Sequence, residues 1–72
     1  MRLVAERLVN SLKDERTRLS LTQAELAEQI GVSRKTVNTV ENGVFIPSTL
    51  LALKLARTLG QSVETLFWIE NC

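Results

Sequence analysis

Apolar residues recur along this chain at the three- and four-residue intervals that mark one face of a helix. Val4, Leu8, Leu12 and Leu19 hold one side of a first segment, which the spacing predicts as a helix from Met1 to Leu19. Glu6, Arg7, Lys13, Asp14, Glu15 and Arg18 fall on its other faces and read as solvated. Ile30, Val37 and Val40 predict the buried seam between two short helices in the middle of the chain. Ala52, Leu55, Ala56 and Leu59 form the inward stripe of a fourth helix, Thr49 to Leu59, with Leu50 and Leu53 off that stripe. Val63, Leu66 and Phe67 turn a short fifth helix, running from Ser62 to about Ile69, toward the core. Trp68 and Ile69 cannot all face inward with them. The pattern therefore predicts an all-α chain of five helices.

Local chemistry sharpens the boundaries between Thr22 and Gly43. Thr22 is an N-cap residue, and Glu25 three positions on can complete a capping box. Leu21 and Leu26 stand at the spacing of a hydrophobic staple. Gly31 suits the left-handed position that ends a helix. Ser33 caps the next helix, and Asn42-Gly43 closes it. Ser48 and Ser62 cap the fourth and fifth helices, and Gly60 ends the fourth. Two capped helices joined by so short a turn must cross steeply, as in a helix-turn-helix, and small Ala27 lies where they approach.

The stretch TQAELAEQIGVSR, with Val37, the Glu41-Asn42-Gly43 run and Pro47-Ser48, resembles the Cro/cI-type helix-turn-helix of phage repressors and small bacterial regulators. The resemblance covers roughly residues 8–67 and implies a compact lambda-repressor-like DNA-binding fold. It implies an ion pair between Arg16 and Glu41, and it places Phe45 on the core. It puts Ser20 where relatives often carry glycine, Gln61 where they carry an apolar residue, and Val44 and Ile46 where they carry basic or polar groups near a phosphate.

With Val37 and Val40 buried, the third helix turns Ser33, Arg34, Lys35, Asn38 and Thr39 outward. These side chains suit base edges. Arginine and lysine donate to guanine, asparagine pairs with adenine, and a threonine methyl touches thymine. The family places its base-reading side chains at the positions of Arg34, Lys35, Asn38 and Thr39. Gln23, at the start of the second helix, is a candidate phosphate contact, with Thr22 and Asn42 as weaker ones.

Charge qualifies this picture. The net charge is only +1, short of the basic balance of many nucleic-acid binders, so a DNA face must come from segregated charge. Glu25 and Glu28 work against a basic stripe on the second helix. Histidine is absent and Cys72 is the lone thiol, so no metal or cofactor is expected. No nucleophile–base pair or phosphate-binding glycine loop suggests an enzyme. No apolar run is long enough to span a bilayer and no signal-peptide pattern opens the chain, so a cytoplasmic location without membrane partners is expected.

At 72 residues the chain reads as a single domain, residues 1–72, small enough for oligomerisation to add stability. A homodimeric repressor on a palindromic operator of double-stranded DNA is the leading expectation. Leu50, Leu53, Trp68 and Ile69 are the expected dimer interface, with Leu3 and Val4 as a rival cover for Trp68. The alternative is an antitoxin-like module that binds a toxin or other protein partner and represses its own operon.

Overall fold

The computed structural model describes residues 6–71. Strand β1 (Glu6–Asn10) is followed by α1 (Leu12–Arg18), α2 (Gln23–Ile30), α3 (Arg34–Glu41), α4 (Thr49–Leu59), α5 (Val63–Leu66) and strand β2 (Phe67–Asn71). The five helices are present, but the all-α expectation is corrected by a two-stranded antiparallel ribbon. Its register pairs Glu6 with Asn71, Arg7 with Glu70, Leu8 with Ile69, Val9 with Trp68 and Asn10 with Phe67.

The first helix starts at Leu12 rather than near the chain start. Asn10 explains the boundary. Its Oδ1 accepts the Leu12 N–H at 3.0 Å, and its Nδ2 donates to the Val40 carbonyl at 3.0 Å. That side chain satisfies an open N–H at the head of α1 and ties the ribbon to the end of α3. Ser11 adds a backbone bond to the Leu66 carbonyl at 3.0 Å. The fifth helix stops after one turn, because Phe67 is already extended, with φ −133° and ψ 137°. The expectations for Leu3, Val4 and Cys72 fall outside the described residues.

The core gathers Leu12, Leu26, Val37, Val40, Leu55, Leu59 and Leu66, all fully buried. Ala27 is buried too, which permits α2 and α3 to cross closely. Leu8 and Val63 pack on the rim of this cluster. Two apolar residues depart from their expected places. Leu19, just past the end of α1, is exposed. Phe45 is 48% exposed rather than packed on the core, where Leu51 and Phe67 are buried instead. The N–H groups of Val44 and Phe45 both donate to the Thr39 carbonyl, at 2.9 and 3.2 Å. Those bonds hold the loop against the end of α3 and leave the Phe45 ring over a surface cleft with Ile46, Pro47 and Leu8. No helix among the described residues is long and apolar enough to cross a membrane.

Candidate nucleic-acid interface

The helix pair α2–α3 is built from its caps outward. Thr22 Oγ1 accepts the Glu25 N–H at 3.0 Å, and Glu25 Oε1 accepts the Thr22 N–H at 2.8 Å. This reciprocal pair fixes where α2 begins. The same contact holds the Glu25 carboxyl below the usual carboxylate range, first through the Thr22 backbone N–H and then through the Thr22 side chain. At the other end Gly31 takes φ 75°, and the Val32 N–H turns back to the Ala27 carbonyl at 3.0 Å. The turn reverses the chain within three residues, because glycine adopts this backbone without a Cβ clash. Ser33 Oγ then accepts the Thr36 N–H at 3.1 Å and starts α3.

Burial sorts the faces of α3. Val37 and Val40 are buried, Arg34 and Lys35 are exposed, and Asn38 and Thr39 are half-buried. The exposed row begins at the first helical turn, where a recognition helix contacts base edges. The Thr39 hydroxyl donates to the Thr36 carbonyl at 3.0 Å, so its polar atom is engaged along the helix. Ser33 is exposed, but its hydroxyl is shared between the cap and the Thr36 hydroxyl at 3.0 Å.

Behind the exposed face of α3 lies the ion pair. Arg16 Nε donates to Glu41 Oε2 at 2.6 Å and Arg16 Nη2 donates to Glu41 Oε1 at 3.2 Å. Arg16 Nη1 donates to the Leu21 carbonyl at 2.7 Å. The two side chains are 12% and 3% exposed. This fork ties α1, the head of α2 and the end of α3 together.

The three phosphate candidates of the sequence are occupied in different ways. The Thr22 hydroxyl serves the cap. The Asn42 amide donates to the Asn38 carbonyl at 2.9 Å. Gln23 turns its side chain inward, with Nε2 donating to Glu41 Oε1 at 3.0 Å. Its Oε1 accepts from Arg34 Nη1 at 3.3 Å and from Asn38 Nδ2 at 3.4 Å. Sequence reasoning missed this bridge. Its signal was present in the i, i+4 spacing of Arg34 and Asn38, which places both donors on one side of α3.

The residues expected at a dimer interface are divided by the ribbon. Trp68 and Ile69 are 42% and 65% exposed. As neighbours in a strand they point to opposite faces. Ile69 lies opposite Leu8 and shares a face with buried Phe67, whereas Trp68 lies opposite Val9 on the outer face. Leu50 and Leu53 are exposed on α4, and Leu53 lines a groove with Leu8, Pro47 and Val63. Gln61 replaces the expected apolar contact with a hydrogen bond from Nε2 to Glu15 Oε1 at 3.1 Å.

Comparison with known proteins gives this geometry a context. Residues 12–66 match the helix-turn-helix family model. The chain is 41% identical over 62 residues to the uncharacterized HTH-type transcriptional regulator YgzD of Bacillus subtilis, spanning 86% of this chain and 94% of that protein. It is 42% identical over 62 residues to the uncharacterized HTH-type transcriptional regulator MJ0272 of Methanocaldococcus jannaschii, with the same two coverages. Among solved structures it is similar to the restriction-modification controller protein C.AhdI of Aeromonas hydrophila. The TM-score is 0.71 at 35% identity, covering 75% of this chain and 82% of that one.

Proposed function

This chain belongs to the Cro/cI-type helix-turn-helix family of DNA-binding transcriptional regulators, and from that premise we propose that it is a homodimeric repressor. In this reading α3 enters the major groove of a palindromic operator. The observation that carries it is the row of Arg34, Lys35, Asn38 and Thr39, facing away from buried Val37 and Val40 on a capped helix. Ser33 lies at the head of that row. Arg34 and Lys35 reach guanine, Asn38 pairs with adenine, and the Thr39 methyl meets a thymine.

Phosphates dock at the head of α2, where the backbone N–H groups of Gln23 and Ala24 lie in the first turn beyond the capping box. Thr22 and Asn42 flank that strand. Such contacts set register and supply sequence-independent affinity.

One head reads too few base pairs to select a site in a genome, so two heads about 34 Å apart on successive major-groove faces complete the device. The dimer surface is drawn from Leu50, Leu53, Trp68 and Ile69. A half-exposed tryptophan on the outer ribbon face is a strong anchor for a partner. Occlusion of a promoter is the mode of action in this reading.

Sedimentation of Trp68→Ala and of Ile69→Ser, made separately, tests the assembly and says which ribbon face carries it. The face in use should yield a helical monomer that loses full-site affinity. Two variants that stay dimeric and bind normally would move the interface elsewhere.

A second reading has its own observation. Val44 and Ile46 are 77% and 73% exposed beside Phe45, and an apolar loop of this kind favours a protein partner. An antitoxin-like module that masks a toxin and represses its own operon would use it. A toxin-like reading frame beside this gene, and a complex lost on Val44→Ser with Ile46→Ser, would favour that reading.

A further inference from the structure

We infer that Gln23 is a positioning residue for base reading, which carries the charge of buried Glu41 to the side chains of α3. The inference rests on α3 being the reader. Glu41 sits almost fully buried, and its carboxylate can only accept hydrogen bonds. It already accepts twice from Arg16. The group facing it from α2 is the Gln23 amide, 3.0 Å away. A carbonyl oxygen at that distance from a carboxylate oxygen would be repelled, so the NH2 end must point inward. The amide is planar, so its oxygen must then point the other way, toward α3.

At α3 the Gln23 oxygen meets two donors, Arg34 Nη1 at 3.3 Å and Asn38 Nδ2 at 3.4 Å. A flipped amide would set like against like at all three contacts. Glu41 therefore chooses the orientation of Gln23, and Gln23 chooses the orientation of Asn38. Asn38 spends one N–H on Gln23 and keeps Oδ1 and its second N–H for a base. That remaining donor and acceptor are what adenine N7 and N6 require. The Arg34 guanidinium is held over the same oxygen, which limits where its other N–H groups can reach. Glu41 thus shapes base preference through Gln23, the side chain that links it to Arg34 and Asn38 on the groove face.

The test uses the full chain, the duplex site it prefers, the single base-pair variants of that site, and an unrelated duplex. Gln23→Met keeps side-chain length and removes both ends of the bridge. Discrimination at the base pairs read by Arg34 and Asn38 should fall about tenfold, the worth of one bidentate contact, and by more than affinity for the unrelated duplex falls. Glu41→Gln, checked for helix content before use, should blur the same base pairs. If Glu41→Gln does not fold, Gln23→Met decides alone. Equal loss on every duplex with a shallower salt dependence would make the Gln23 side chain a phosphate contact and overturn the inference. A parent chain that shows no base preference would instead overturn the reading of α3 on which it rests.

Discussion

Removing one member of the Arg16–Glu41 pair should cost this protein a large share of its stability. A folded chain of 72 residues is held by roughly 4–11 kcal/mol, at about 0.05–0.15 kcal/mol per residue. Arg16→Met leaves the Glu41 carboxylate buried with Gln23 as its remaining side-chain donor, and it strips the Leu21 carbonyl of its guanidinium partner. Breaking a buried pair in this way costs about 3–5 kcal/mol. The Gln23 bond places the cost toward the lower end, and the lost Leu21 bond offsets that relief. Glu41→Leu is the mirror case, with Arg16 keeping only the Leu21 carbonyl and Gln23 losing its acceptor.

The double variant removes both charges. It leaves the Leu21 carbonyl and the Gln23 amide underbonded, at about 1–3 kcal/mol for each such group when water is excluded. The two single losses would sum to about 6–10 kcal/mol if they were independent. The double variant should instead lose only about 2–6 kcal/mol, a coupling of about 4 kcal/mol at the middle of the two ranges. Urea unfolding followed by far-ultraviolet circular dichroism measures the cycle, at one fixed protein concentration because dimerisation would add to apparent stability. Low temperature keeps the weakest variants measurable. Single effects that add within about 0.5 kcal/mol would show that the fork does not couple α1 to α3, and the account of how the head is held would fail.

Other consequences are cheaper to check. Arg34→Ala should cost about 1–3 kcal/mol on the preferred site and relax one base position, while an unchanged preference profile would remove Arg34 from the readers. With few cations near the groove, affinity should fall less steeply with salt than for a repressor making about ten phosphate contacts; a slope that steep in a salt titration would reveal a second basic surface, such as Lys54 and Arg57. The carboxyl of Glu25 is depressed in the folded state, so its contribution is present above the ordinary carboxylate range and is lost as pH falls through the folded value. Glu25→Gln should therefore be less stable than the parent at neutral pH, with the gap closing in acid; a gap that widens in acid would reverse the sign. Ser20 holds φ 58°, where glycine escapes the Cβ clash but loses more chain entropy on folding. Ser20→Gly should then gain up to about 1 kcal/mol in thermal unfolding, and a clear loss would mean that serine carries no strain there.

The helix-turn-helix and the fourth helix were legible because their signals are local. Thr22 with Glu25, Gly31, Ser33, Ser48 and Gly60 each act on backbone groups within a few residues, so sequence neighbours suffice to place them. The Arg16–Glu41 partnership came from resemblance, since nothing in the spacing of two residues 25 apart specifies contact. The ribbon was hidden for the same reason. Leu8 and Leu12 stand four apart, which fits one helix face, yet Leu8 reaches the core from a strand and Leu12 from a helix. The pairing of Arg7 with Glu70 joins residues 63 apart. Each strand is too short for alternation to announce it, and no turn connects the two. Asn10 offered the one local hint, as a residue type that favours capping over a helix interior. Trp68 beside Ile69 shows what the error cost. Read as helix they made one patch, and paired as strand they serve two faces.

Selection of bound duplexes from random DNA decides whether α3 reads bases. The parent chain should recover one sequence made of two inverted half-sites, their centres one helical turn apart. Chains carrying Arg34→Ala, Lys35→Ala or Asn38→Ala should each blur positions within the half-site and leave the spacing intact. Half-sites that survive all three substitutions unchanged, or recovered duplexes with no common sequence, would contradict base reading by α3.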